Sequence, residues 1–283
     1  MTHQTILSDN SLSPKTKYRS PLRYPGGKQK AIGEIAKWLP QSAYEYREAF
    51  VGGGSVYFHA RTITLAKKYW INDVFKDLTL FWQIVQNPIT CKKLINDLES
   101  LRSGFSSPSQ IKKFYERAKR ELTENPYRKA LLFFFFNRVS FSGTTNAGGF
   151  SKLASMHRFT ASSIQRLAGL PEALSETTIT NWDFEQVISS PGKDVFLFLD
   201  PPYYTAKKLY GPKGALHSFD HERLANILKK TEHKFLITYD NCPEIQKLYK
   251  WAKRTSWQLR YGMNNCNTLK ESKIGAELFI SNY

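Results

Sequence analysis

The feature that most constrains the fold of this chain is a repeated alternation of short apolar stretches with helical patterns. The strand-like stretches are residues 44–50, 68–71, 195–199 and 234–238, and helical periodicities follow the first two at 55–65 and 76–86. Alternation of this kind is typical of an α/β fold, in which helices cover the faces of a mostly parallel sheet.

The middle of the chain has a different pattern. Residues 88–166 contain charged helical stretches, an aromatic run at 133–136 and a segment rich in Gly, Ser, Thr and Asn at 140–151. We interpret the aromatic run as the buried side of a helix. We predict a mainly helical module inserted between the two halves of a sheet domain. The predicted divisions are a flexible tail at 1–19, a sheet domain at 20–76 and 167–283, and an inserted domain at 77–166.

The charge of the chain indicates a polyanionic partner. The 283 residues carry a net charge of +17, and so strong a positive field attracts nucleic acid. Between residues 101 and 170 there are 12 basic and 3 acidic residues, so over half of the net positive charge lies in a quarter of the chain. Arg138, Lys152 and Arg158 are candidates for DNA contacts, although a solvated basic face is an equally good reading of each.

Cysteine spacing and hydropathy indicate the cellular compartment of the protein and argue against several kinds of site. The three cysteines show no paired spacing, and no histidine lies near them at a zinc-ligand interval, so we predict neither a disulfide framework nor a metal site. No apolar run reaches the roughly 18 residues of a membrane span, and residues 1–19 are too polar for a signal peptide. We therefore expect a cytoplasmic, nucleoid-associated protein without a membrane partner.

A glycine-rich loop follows the first strand pattern and opens a helix pattern. Residues 50–55 read Phe-Val-Gly-Gly-Gly-Ser, and glycines in such a loop let the backbone turn sharply and approach a ligand above the strand ends. About twenty residues later, Asp73 ends the second strand pattern, where a carboxylate can accept hydrogen bonds from ribose hydroxyls. A plain loop and a solvated acid are the alternatives for these two features.

A second motif, Asp200-Pro201-Pro202-Tyr203, directly follows the apolar stretch at 195–199. Two prolines stiffen the turn and remove N–H donors, so the Asp200 carboxylate and the Pro201 carbonyl can accept both hydrogens of one amino group. The Tyr203 ring offers a flat face on which an extruded base can stack. We therefore predict that these four residues are catalytic and activate the amino group of a base by geometry.

These motifs occur in the order found in the Dam-like, D12-class DNA adenine-N6 methyltransferases of the alpha group, which the chain resembles from about Ser20 to Tyr283. Residues 24–28 resemble the family's aromatic-x-Gly-Gly-Lys segment, and residues 181–184 resemble a segment whose Asp-Phe pair lies against the adenine of S-adenosylmethionine. By resemblance, the residues implied to hold this methyl donor are Tyr24, Lys28, Phe50, Gly52, Gly54, Asp73, Asp183, Phe184 and Asp200.

The inserted module also resembles the family in part. Residues 137–143, followed by Phe150-Ser151, are similar to the segment that leads into a DNA-contacting hairpin. Residues 144–158 differ from the members that are specific for GATC, so the recognition sequence stays open.

The resemblance implies a doubly wound, Rossmann-like methyltransferase sheet with an inserted, mainly helical target recognition domain, and an antiparallel hairpin that residues 277–283 complete. It implies methyl transfer from S-adenosylmethionine to the N6 amino group of a flipped adenine in double-stranded DNA, without a metal. A cognate restriction endonuclease and a monomeric or weakly dimeric state are further expectations. The alternatives are N6 methylation of ribosomal RNA, N4 methylation of cytosine, and a catalytically silent DNA-binding homologue.

Overall fold

The computed structural model describes residues 17–143, 148–205, 219–260 and 274–283. Most of the predicted N-terminal tail, up to residue 16, and part of the predicted hairpin region, residues 144–147, lie outside the described residues.

The described residues form a seven-stranded sheet with helices on both faces. The strands are β1 (Ala43–Glu48), β2 (Ala66–Asn72), β3 (Thr177–Thr180), β4 (Val195–Leu199), β5 (Lys234–Asp240), β6 (Lys253–Arg260) and β7 (Ile274–Ser281). Their order is β3-β2-β1-β4-β5-β7-β6. Strands β1 to β5 run parallel, and β7 is antiparallel to both of its neighbours.

The described helices fall into three groups along the chain. Helices α1 (Ile32–Ile35), α2 (Ser55–Thr62) and α3 (Lys76–Gln86) accompany the first two strands. The middle of the chain forms α4 (Pro88–Ser103), α5 (Pro108–Lys119), α6 (Pro126–Val139), α7 (Lys152–His157), α8 (Ala161–Gln165) and α9 (Leu170–Ala173). Helices α10 (Phe184–Ser189), α11 (His221–Lys230) and α12 (Pro243–Leu248) belong to the second half of the sheet.

Strand β4 shows why the sheet is covered on both faces. All five of its side chains are buried, as expected for a central parallel strand. Successive side chains of a strand point to opposite faces, and Phe196 and Phe198 join the apolar cluster that contains α2 to α6. Val195, Leu197 and Leu199 join the cluster formed with α10 to α12. The continuous apolar run is thus shared between two cores.

The helices of the inserted module begin at local sequence signals. Helices α4, α5 and α6 each have proline in the first turn and a side-chain cap, from Asn87, Ser107 and Asn125 respectively, and both features favour helix initiation. The phenylalanine run at 133–136 is buried in α6, as predicted, within the apolar cluster that also contains β1 and α3. The proposed division into domains stays a prediction.

The predicted α/β fold is confirmed. Strand β4 and helix α3 have the predicted bounds, and β7 forms the predicted antiparallel hairpin with β6. Among the residues the structure describes, no helix is long and apolar enough to cross a membrane.

Candidate active site

The candidate active site lies at the carboxyl ends of β1 and β4, which are neighbours at the centre of the sheet. From β1 the chain crosses to β2 on one side, and from β4 it crosses to β5 on the other. Loops that leave neighbouring strands in opposite directions open a crevice, where ligands of doubly wound sheets bind. The glycine loop and the Asp-Pro-Pro-Tyr corner follow these two strands, so the structure brings the two predicted motifs together.

The glycine loop is shaped by its contact with Tyr24. Gly52 has φ +47° and Gly54 has φ +71°, values that residues with a Cβ rarely adopt. A Cβ at Gly52 would lie 2.9 Å from Cε1 of Tyr24, and a Cβ at Gly53 would lie 2.9 Å from Cβ of the same tyrosine. Two segments implied to bind the methyl donor therefore pack directly on one another.

Asp73 ties the glycine loop to the end of β2. Its Oδ2 accepts a hydrogen bond of 2.9 Å from the Gly52 backbone N–H, and its Oδ1 accepts one of 3.0 Å from Phe75. Burial raises the pKa of Asp73 to about 6, and the two N–H donors partly offset that rise. The carboxylate thus fixes the loop, and its ribose-binding role stays a prediction.

The Asp-Pro-Pro-Tyr corner is held by a buried lysine. Lys28 is 5% exposed, and its Nζ lies 2.7 Å from Oδ1 and 2.8 Å from Oδ2 of Asp200. The same ammonium also donates to the Gly26 carbonyl at 3.0 Å. Thr238 of β5 donates a 2.7 Å hydrogen bond to Oδ1 of Asp200. Lys28 and Asp200, which are 172 residues apart in the sequence, therefore form one unit.

Strands β5 and β7 provide three site residues that the sequence analysis missed. These residues are Thr238, Asp240 and Glu277. Asp240 accepts hydrogen bonds from the backbone N–H groups of Tyr204 and Thr205, at 2.9 and 2.8 Å. The signal that could have revealed all three is a buried polar residue inside an otherwise apolar strand, because such groups need a partner.

Glu277 contacts the tyrosine of the corner. The Tyr203 hydroxyl donates a short hydrogen bond to Oε2 of Glu277, whose side chain is 0% exposed. Burial raises the pKa of Glu277 to about 7; the Tyr203 hydrogen bond and the Lys28 charge lower it, whereas the charges of Asp200 and Asp240 raise it. Burial also raises the pKa of Tyr203 well above 10, so its hydroxyl stays protonated and donates.

One more acidic side chain, Glu48, lies at this edge of the sheet. It ends β1, is 2% exposed and accepts a 2.8 Å hydrogen bond from the Tyr46 hydroxyl. Burial raises its pKa well above the ordinary value, and the charges of Asp200 and Asp73 act in the same direction. Glu48 therefore lies within electrostatic reach of both Asp200 and Asp73.

An aromatic and charged corner borders the glycine loop. The Phe50 ring lies 5.6 Å from the Phe184 ring, centroid to centroid. Asp183 caps α10 and pairs with Arg223 of α11, and the Arg223 guanidinium lies 4.5 Å from the centroid of Phe184. Phe184 thus lies beside Phe50, and the donor-binding role of Asp183 and Phe184 stays a prediction.

The candidate DNA-contacting residues have different environments. Lys152 and Arg158, at the two ends of α7, are exposed. Arg138 is 3% exposed, and its guanidinium donates a 2.9 Å hydrogen bond to Asn137. Burial lowers the pKa of Arg138 to about 9, and the charges of Arg23, Arg166 and Arg158 lower it further. Positive charge is therefore crowded around Arg138, from the inserted module and from Arg23 of the N-terminal segment.

A separate cavity of about 640 Å³ lies between α10 and α11, where Glu185, Arg223 and His233 are among its lining residues. None of the predicted catalytic or donor-binding residues lines it. The strand topology, rather than this cavity, identifies the candidate site, because the glycine loop and the Asp-Pro-Pro-Tyr corner meet at the switch between β1 and β4.

Comparison with known proteins identifies the family of the chain. The sequence profile of the D12 class N6 adenine-specific DNA methyltransferases matches residues 24–263. The type II methyltransferase M.MjaIII of Methanocaldococcus jannaschii is 28% identical over 93% of this chain and 98% of its own length. A DNA adenine methylase of Vibrio cholerae is 23% identical over 83% of this chain and 86% of its own length. A DNA adenine methylase of Haemophilus influenzae is 24% identical over 68% of this chain and 66% of its own length.

The profile covers most of the chain and includes both the glycine loop and the Asp-Pro-Pro-Tyr corner. It therefore confirms the resemblance seen in the sequence, and it favours DNA adenine methylation over the ribosomal RNA, cytosine and non-enzymatic alternatives. The chain belongs to the D12 class N6 adenine-specific DNA methyltransferases, enzymes that methylate the N6 amino group of adenine in DNA.

Proposed function

We propose that the crevice binds S-adenosylmethionine beside one adenine extruded from double-stranded DNA, and that Asp200 and Pro201 hold the N6 amino group during methyl transfer. The observation that carries this proposal is the fixed position of Asp200. Its carboxylate is 20% exposed, is held by Lys28 and Thr238, and lies at the switch point of the sheet. Such an acceptor is both accessible and preorganised.

The residues at the crevice suit S-adenosylmethionine as the donor. The molecule carries a sulfonium and an ammonium against one carboxylate, so its net charge is positive, and such a ligand is compatible with the carboxyl groups of Glu48, Asp73 and Glu277 that lie at this end of the sheet. Gly52 and Gly54 let the backbone approach it closely, and the Phe50 and Phe184 rings offer flat surfaces for its adenine. Bound there, the donor would supply an electrophilic methyl group.

We assign the remaining donor-binding roles by the same geometry. Tyr24 packs on the glycine loop and borders the donor, and Asp73 keeps that loop in place while its carboxylate faces the ribose. Asp183 contributes an acceptor for an amino group at the aromatic corner. Lys28 compensates the charge of Asp200.

The hydrogen bonds around Asp200 determine which oxygen faces the substrate. Oδ1 lies near both Lys28 and Thr238, whereas Oδ2 accepts from Lys28 alone among the described residues. A carboxylate oxygen can accept two hydrogen bonds. We therefore assign Oδ2 as the acceptor for one N6 hydrogen, and the Pro201 carbonyl as the acceptor for the other.

These two acceptors activate a weak nucleophile. The N6 lone pair of adenine is delocalised into the ring, and acceptors that hold both hydrogens favour a pyramidal nitrogen whose lone pair can attack. Pro202 stiffens the turn, and the partly exposed Tyr203 ring provides the surface on which the extruded base stacks. The base must leave the duplex because its amino group is otherwise out of reach.

Crowded arginines support phosphate binding by the inserted module. Arg23, Arg138, Arg158 and Arg166 repel one another electrostatically, and backbone phosphates would relieve that repulsion. The exposed side chains of Lys152 and Arg158 are suited to direct contact. Arg138 is almost fully buried, so we assign it a contribution to the positive potential rather than a surface contact.

Relatives named Type II methyltransferase, and one named Modification methylase StsI, support a role alongside a cognate restriction endonuclease. We include that partner in the proposal. The predicted target recognition domain at 77–166 and the monomeric or weakly dimeric state remain predictions.

Single-molecule sequencing of DNA from a host that expresses the protein identifies the methylated site, and a duplex carrying that site then serves as substrate with labelled S-adenosylmethionine. We expect Asp200→Asn to lower the methyl-transfer rate by about 10²- to 10³-fold, because an amide nitrogen cannot accept the N6 hydrogen. DNA affinity should be largely retained. Asp97→Asn, in a surface ion pair on α4, is the matched control. Near wild-type turnover of Asp200→Asn would refute the assignment.

A further inference from the structure

The face of β5 and β7 that borders the catalytic corner carries a row of polar side chains. Asp240 and Glu277 are directly opposite each other in the antiparallel pair, and Thr238 is two residues before Asp240. Opposite residues, and residues two apart in a strand, lie on the same face of a sheet. Thr238, Asp240 and Glu277 therefore form one row, which we call the polar row.

Each member of the polar row contacts a different part of the corner. Thr238 donates to the Asp200 carboxylate, Asp240 accepts from the backbone after Tyr203, and Glu277 accepts from the Tyr203 hydroxyl. The row therefore fixes the orientation of the carboxylate, the path of the chain and the far end of the aromatic ring.

The burial of Glu277 shows that its contact is not incidental. The side chain is 0% exposed, and a buried carboxyl group destabilises a protein unless it is hydrogen-bonded. An apolar residue would fill this position in a strand at lower cost. The acid is bonded to the one polar atom of Tyr203 and lies within electrostatic reach of Lys28 and Asp200.

We propose that Glu277 is a positioning residue for methyl transfer, which fixes the Tyr203 ring so that the extruded adenine stacks in register with Asp200. A tyrosine side chain turns about two torsions, and a hydrogen bond at its hydroxyl removes that freedom at the end furthest from the backbone. The ring is then preorganised before the base arrives, so its ordering no longer adds to the barrier. This inference rests on the proposed stacking role of Tyr203.

The test is a double-mutant cycle between Tyr203 and Glu277, measured as the single-turnover rate of methyl transfer to a duplex carrying the sequenced site. Glu277→Met removes the acceptor, Glu277→Gln keeps one, and Tyr203→Phe removes the hydroxyl while keeping the ring. We expect Glu277→Met to lower the rate about tenfold in the Tyr203 background, and by less than about twofold in the Tyr203→Phe background. Glu277→Gln should retain most of the wild-type rate.

A second readout separates positioning from folding. The fluorescence of 2-aminopurine at the target position reports stacking of the extruded base, and it should change in Glu277→Met and in Tyr203→Phe alike. Glu232→Met, at an exposed position before β5, should alter neither rate nor fluorescence. Thermal unfolding and calorimetric S-adenosylmethionine binding identify any variant that fails to fold. If Glu277→Met fails to fold, the test uses Glu277→Gln, which keeps an acceptor at this position.

Three outcomes would overturn the inference. One is a wild-type rate in Glu277→Met. Another is an equal loss in the Tyr203 and Tyr203→Phe backgrounds, because Glu277 would then act through another group. The third is a loss in Glu277→Gln as large as that in Glu277→Met. If Tyr203→Ala itself leaves the rate unchanged, the proposed stacking role fails, whereas a loss in Tyr203→Ala without a loss in Glu277→Met removes only the role of Glu277.

Discussion

Glu277 should make the stability of this enzyme depend on pH in a way that one substitution can isolate. Its pKa is raised from 4.5 to about 7, mainly by burial. The folded protein therefore favours the protonated form, and this contribution to stability is fully present below pH 4.5 and is lost as pH rises through about 7. Glutamine does not titrate, so Glu277→Gln removes the effect.

The magnitude follows from the two pKa values. Each tenfold change in the protonation equilibrium corresponds to about 1.4 kcal/mol. Relative to low pH, where Glu277 is protonated in both states, its ionisation lowers the free energy of unfolding by about 1 kcal/mol at pH 5.5 and by about 3 kcal/mol at pH 8.5. The difference between Glu277→Gln and wild type should therefore increase by about 2 kcal/mol across this range. Any packing difference between glutamine and protonated glutamate does not vary with pH.

Urea unfolding followed by tryptophan fluorescence at several pH values between 5.5 and 8.5 measures this difference. Glu232→Gln, at an exposed position, is the matched control. A flat difference for Glu277→Gln would refute the reasoning, because the carboxyl group would then titrate alike in the folded and unfolded states. A difference that falls with pH would mean that attraction by Lys28 outweighs burial.

Three further predictions concern the donor loop and the DNA surface. Asp73→Asn should weaken S-adenosylmethionine binding about tenfold, since a side-chain amide has one acceptor oxygen and cannot accept from both the Gly52 and the Phe75 N–H groups; unchanged affinity by calorimetry would contradict this. Gly52→Ala should destabilise the fold by at least about 1 kcal/mol, because of its φ of +47° and its contact with Tyr24. Gly33→Ala, in open space on α1, should be neutral or stabilising, and equal melting temperatures for the two would refute the argument. Lys152→Met should weaken DNA binding and reduce the slope of log affinity against log salt by about 1; an unchanged slope would place the phosphate contacts elsewhere.

Local sequence patterns predicted the strand and the helix whose buried residues follow a regular spacing. Strand β4 is a continuous apolar run, and α3 has apolar residues at helical spacing, so both were predicted with their bounds. Strand β3 was missed because it has four residues, three of them threonine, and lies at the edge of the sheet. A segment so short and half-buried carries no periodicity that differs from a loop.

The candidate site shows the same limit. Catalytic roles for Asp200 and Tyr203 could be predicted from the sequence, because a carboxylate and an aromatic ring around two prolines form a local unit, and these roles stay predictions. The partners of that unit were not readable. Lys28 lies 172 residues from Asp200, and Glu277 lies 74 residues from Tyr203, so the local sequence can mark each residue as unusual but cannot indicate which partner it contacts.

The sequence by itself determined the fold class, the position of the Asp-Pro-Pro-Tyr corner at the end of an apolar strand and the concentration of positive charge, because each depends on residues that are close together in the chain. Only the tertiary structure decided which groups orient the corner. The sheet order places β5 and then β7 beside β4, and that order brings the polar row against Asp200 and Tyr203. The tertiary structure also decided that Arg138 is buried while Lys152 and Arg158 are exposed, since burial depends on how helices pack rather than on residue type.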